Sequence, residues 1–111
     1  MATAFGSFSH SRILQLNIQL QNLKKGPLSV TQFLHQAKFL ADQLAEAGQP
    51  ISPAQFTAII SRNLGPEYNG VMSSLAARDS APTFHELHCI LTTMEFNLDH
   101  IAYEETTANV A

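Results

Sequence analysis

The chain has no tryptophan, a single cysteine, and only six Lys and Arg residues against nine Asp and Glu in 111 positions. The lone cysteine, Cys89, excludes an intramolecular disulfide. A formal charge of −3, with Lys24-Lys25 as the only adjacent basic pair, gives no general attraction to phosphate backbones. No apolar run approaches the roughly 20 residues needed to cross a bilayer, and Met1 to Arg12 lacks the charged start and apolar stretch of a secretory leader. These absences predict an intracellular protein, cytoplasmic with the nucleus left open, and no membrane partner. There is no glycine-rich phosphate loop either, since Gly26, Gly48 and Gly65 each fall where a helix should stop.

Apolar residues, by contrast, make up 45% of the chain and charged residues only 14%. That is too apolar for a disordered chain, and it leaves a weakly charged surface of which some is expected to meet another protein. The length fits one domain with a modest core.

The pattern along the chain is helical. Between Ser11 and Lys25, Leu14, Leu16, Ile18 and Leu20 alternate with polar residues as a strand would, but Ile13, Leu16, Leu20 and Leu23 also fall at helical spacing. Lys24-Lys25-Gly26-Pro27 supplies a cationic last turn and a stop, so a helix is expected. On it Leu14 and Ile18 lie away from the main stripe, giving two apolar sides that need two partners.

Ser29 with Gln32 forms a capping box before Val30, Phe33, Leu34, Ala37, Leu40, Ala41 and Leu44, with Gly48 closing the element. Ser52, Pro53 and Gln55 repeat the signal for a short helix carrying Phe56, Ile59, Ile60 and Leu64. A fourth helix is expected from Pro66 to about Arg78. Thr83 and Glu86 then open a fifth, with a seam of Phe84, Leu87, Leu91, Met94, Leu98 and Ile101 widened by Ile90 and Phe96. The seam is short for a free coiled coil, so burial in a bundle is expected. The predicted fold is all-α, a small bundle of about five helices over residues 10–103, with a flexible arm at 1–9 and a flexible tail at 104–111.

No catalytic residues emerge. His85, His88 and Cys89 share one turn, and His85 with Cys89 has the i, i+4 spacing of two metal ligands, but a structural zinc centre needs four and no second cluster exists. The carboxylates read as solvated helix faces and caps, with no pair spaced for acid and base work. Neither enzyme activity nor a cofactor, metal or small-molecule substrate is predicted. Arg12, Lys24 and Lys25 are the candidates for phosphate contact, although a place in the last helical turn already explains the two lysines. Leu14, Ile18 and Phe39, each off its helix's main stripe, are the candidates for contact with another protein.

Several multi-residue strings occur in order. Leu23-Lys24-Lys25-Gly26 precedes Ser29-Val30, and Leu40-Ala41-Asp42 and Leu44-Ala45 run into Gly48, Pro50, Ile51 and Ser52. Asn63-Leu64-Gly65-Pro66-Glu67-Tyr68 follows, then Thr83, Glu86, Leu87, Leu91, Glu95 and Leu98. Together they resemble the Gag polyprotein of copia-type LTR retrotransposons, from Leu20 to about Leu98. The resemblance implies the C-terminal part of a capsid-like helical region, whose work is to bind copies of itself around retrotransposon RNA. It is expected to keep that role or a derived role in oligomerisation, with an adaptor for another protein or a weakly RNA-binding Gag remnant as the alternatives. The family's CCHC zinc knuckle and its tryptophan-containing upstream helices have no counterpart here, so only weak RNA binding is expected.

Overall fold

The computed structural model describes the backbone of residues 2–110 and the side chains of residues 10–100. Its order is α1 (Ala2–Asn22), α2 (Val30–Glu46), α3 (Pro53–Leu64), a 3-10 turn (Pro66–Tyr68), α4 (Asn69–Ala76) and α5 (Phe84–Val110). The chain is an all-helical bundle of five helices, with no strand among the described residues.

Local chemistry starts three of the helices. Ser29 Oγ accepts from the Gln32 amide at 3.1 Å while Gln32 Oε1 accepts from the Ser29 amide at 3.0 Å. Ser52 and Gln55 do the same, both at 3.1 Å, with Pro53 in the first turn. Thr83 and Glu86 make the third reciprocal box, at 3.0 and 3.1 Å. Each box satisfies two of the amides that a helix start leaves without partners.

The ends differ more from expectation. Helix α1 reaches back to Ala2, across the stretch where the sequence predicts an arm, and α5 runs to Val110 through the predicted tail. Ile101, the last position of the seam, lies outside the described side chains. Helix α1 also stops at Asn22, so Lys24 and Lys25 lie beyond it rather than in its last turn. The fourth element opens as a 3-10 turn, in which the Tyr68 amide donates to the Gly65 carbonyl at 3.2 Å, and becomes α-helical only at Asn69. Gly65 sits at φ +133, where a side chain would be strained and its Cβ would meet the Glu67 carboxylate at 3.2 Å. Two turns of different pitch therefore replace one continuous helix.

The core is formed by Leu16 and Leu20 from α1, Val30, Phe33, Leu34, Ala37 and Leu44 from α2, and Ile59, Ile60 and Leu64 from α3. Tyr68, Met72, Leu75, Leu87 and Leu91 close it. The α1 helix packs chiefly on α2, and α2 also carries α5. Phe56, Phe84, His35 and His88 join α3, α5 and α2 through ring contacts with centroids 5.8 to 6.5 Å apart.

One expectation about the core is corrected. Phe96 is 69% exposed instead of widening the α5 seam. Glu95, its neighbour, accepts from the Val30 amide at the first turn of α2. Helix α2 therefore begins opposite Glu95, and the stretch of α5 beyond, about fifteen residues and roughly 22 Å long, outruns it.

Candidate self-association surface

The outer face of α1 is set by its spacing. Leu16 and Leu20 are fully buried, whereas Leu14 is 55% and Ile18 51% exposed on the opposite side of the same helix. Phe39 on α2 is 60% exposed because its neighbours Phe33, Leu34 and Ala37 occupy the inward face.

The three apolar candidates are not one patch. Phe39 walls an open groove of about 610 Å³ between α1 and α2, with Gln19, Asn22 and Leu23 on one side and His35, Gln36 and Leu40 on the other. Leu14 and Ile18 do not line that groove. A fourth large exposed apolar residue, Phe96, stacks on His100 with centroids 6.1 Å apart and planes 5° from parallel. At 100° per residue Phe96 stands on the face of α5 opposite Leu87, which accounts for its exposure, whereas Leu98, further along the helix, still packs on the core.

The basic candidates are tied into the bundle. Arg12 donates to Gln43 Oε1 at 2.6 Å, linking α1 to α2. Lys24 Nζ donates to Asn63 Oδ1 at 3.0 Å, and the Lys25 amide donates to the Asn63 carbonyl at 3.1 Å. The Lys25 ammonium lies 4.0 Å from Glu95 and over the Tyr68 ring, 5.8 Å from its centroid. The connection after α1 is thus fastened to α3 and α5, which replaces the helix-dipole explanation for these lysines.

Asn63 carries most of that fastening, and sequence reasoning missed it. Among the described residues it is the one buried polar side chain of the core, and its Nδ2 donates to the Gln21 carbonyl at 3.1 Å, a group left without a helical partner where α1 ends. A buried amide with donor and acceptor both used is stable where an unpaired one is costly. Beneath it, burial first and then the charges of Glu95, Glu67 and Asp99 push the Tyr68 phenol up to about 12, so the hydroxyl keeps its proton at neutral pH.

On α5, Cys89 Sγ and His85 Nε2 are 3.6 Å apart and exposed, while His88 Nε2 shares a 3.0 Å hydrogen bond with Thr31 Oγ1 on α2. His88 is therefore drawn toward the bundle and away from the other two. Among the described residues no group of three or more His, Cys, Asp or Glu side chains could hold a metal ion. No helix among them is long and apolar enough to cross a membrane.

In comparison with known proteins, the chain is similar to a retrovirus-related Pol polyprotein from transposon RE1 of Arabidopsis thaliana, at 31% identity over 80 residues. The matched stretch is 72% of this chain, and the chain spans about 6% of that polyprotein's length. No family model and no solved structure matches. The similarity supports a retrotransposon-related origin.

Proposed function

We propose that the chain is a non-enzymatic structural protein of the Gag type, copia-like and capsid-like, that works by associating with copies of itself. The observation that carries this reading is the two-sided α1 helix. Leu16 and Leu20 hold it to the bundle, and Leu14 and Ile18 present an apolar face to solvent on a helix already fixed in place. Shell building is repeated protein association, and it needs apolar side chains on elements that lose little freedom when they meet. The capped, well-packed bundle beneath α1 provides that rigidity.

Burying a large aliphatic side chain fully is worth about 1.5 to 3 kcal/mol, so covering what remains exposed of Leu14 and Ile18 contributes about 2 kcal/mol. That suits contacts which are individually weak and are multiplied by repetition. Retrotransposon RNA is the weaker partner on this reading, since Arg12, Lys24 and Lys25 are engaged within the fold and the chain is acidic.

The test is molar mass by light scattering over a dilution series, for the natural chain and for Leu14→Glu with Ile18→Glu. The natural chain should grow in mass with concentration, and the double variant should stay monomeric with its helical circular dichroism unchanged. A natural chain that stays monomeric at high concentration removes the proposal. A double variant that loses its helices instead assigns the outer face of α1 to the core.

A further inference from the structure

The charges of the chain are divided along its length. Residues 79–111 hold six carboxylates and no Lys or Arg, a formal charge of −6, whereas residues 1–78 hold all six cations and three carboxylates, a formal charge of +3. The structure separates these charges further. Lys25, Lys38 and Arg78 pair with the carboxylates of Glu95, Asp42 and Glu86. Arg12, Lys24 and Arg62 instead donate to the uncharged side-chain oxygens of Gln43, Asn63 and Gln21. The cations bound only to amides all lie on α1, just after it, or against it.

Leu14, Ile18 and Gln21 are four and three residues apart, so they share one stripe of α1. Because Gln21 accepts from Arg62, a guanidinium stands at the end of an exposed apolar stripe. The far half of α5 has the opposite arrangement. Among the described residues Phe96 is the most exposed large apolar one, Asp99 lies three residues on and is also exposed, and this half of the helix outruns α2.

We propose that self-association is head to tail: the acidic far half of α5, anchored by Phe96 and Asp99, docks on the Leu14, Ile18 and Arg62 face of a second copy. This rests on the self-association reading above and assigns its geometry. Two different surfaces meet, so every copy keeps one of each free, and the contact propagates into rings or open chains unless rotation closes it. Opposite charge fixes the direction, because two α1 faces or two α5 ends brought together would set like charges against each other.

The test uses two full-length variants, Phe96→Glu and the double variant Leu14→Glu with Ile18→Glu, measured alone and mixed in equal amounts by light scattering. All three positions are more than half exposed, and circular dichroism checks that each variant folds. Each variant alone should associate at least about tenfold more weakly than the natural chain. The mixture should recover a 1:1 dimer that grows no further, because one intact surface of each kind remains. Association of the natural chain should also weaken between about 0.05 and about 0.5 M salt, a readout that depends on no variant. If Phe96→Glu associates as the natural chain does, or the mixture stays monomeric while the natural chain assembles, the head-to-tail geometry is overturned and self-association stands. A natural chain that stays monomeric overturns both.

Discussion

Replacing Asn63 with alanine should cost more stability than any other single polar substitution in the chain. The side chain is buried where α1, α3 and the Lys24-Lys25 connection meet. Alanine leaves the Gln21 carbonyl at the end of α1 without a donor in a part-buried site, a loss of about 1 to 3 kcal/mol. It also removes the acceptor for the Lys24 ammonium, worth about 0.5 to 1 kcal/mol because Lys24 is exposed and can turn to water. The backbone bond from the Lys25 amide to the Asn63 carbonyl survives. The sum is about 1.5 to 4 kcal/mol, which for a domain of this size lowers the melting temperature by about 6 to 16 °C.

Urea unfolding followed by circular dichroism measures this directly, since a change in midpoint at constant slope is a change in stability. Lys24→Met separates the two contributions. It should cost less than about 1 kcal/mol alone, and in combination with Asn63→Ala it should add almost nothing, because the alanine has already removed its partner. If Asn63→Ala costs less than about 0.5 kcal/mol, water replaces the amide at the Gln21 carbonyl and the fastening of α1 to α3 lies elsewhere.

Three further outcomes are expected. Glu95→Ala should destabilise the fold by about 1 to 2 kcal/mol by urea unfolding, since it uncaps the Val30 amide at α2 and leaves Lys25 without its carboxylate. Tyr68 should make the fold alkali-sensitive. Its phenol titrates near 10 when unfolded and about 12 when folded, so stability holds below pH 10 and falls by about 2 to 3 kcal/mol as pH rises toward 12, a loss that Tyr68→Phe should lack. Ser52→Ala should cost about 1 kcal/mol in a thermal melt by removing the acceptor for the Gln55 amide at the start of α3.

Helices α2, α3 and α5 were legible because their start signals are local: a serine or threonine and a glutamine or glutamate three positions on dictate the box wherever the chain goes. The off-stripe positions Leu14, Ile18 and Phe39 were legible for the same reason, since a period of 3.6 fixes the face without reference to a partner. What could not be read is what depends on another element. Asn63 in an Asn-Leu-Gly-Pro string looks like turn chemistry, and nothing local says that its amide will meet the end of α1. Glu95 looks like one more solvated carboxylate until α2 starts beside it, 65 residues away in sequence. Phe96, by contrast, was open to reading: nine residues on from Leu87 it stands half a turn away from the buried seam, and the period alone exposes it. The split of the fourth element at Tyr68 follows from the backbone at Gly65, which the Gly-Pro pair announced as a stop without fixing the pitch of what came next.

The links around α1 also determine what its outer face can do. Arg12 to Gln43 holds one end, while Arg62 and Asn63 hold Gln21 near the other. With Leu16 and Leu20 locked in the core, these polar ties prevent the helix from rolling Leu14 and Ile18 inward to hide them. The apolar face is therefore maintained by the same bonds that stabilise the bundle, and a partner that covers it meets a surface already ordered. Binding to the folded state alone raises stability by mass action, so a chain that associates through this face must melt at a higher temperature as its concentration rises. A chain weakened at Asn63 should regain part of its loss by the same route.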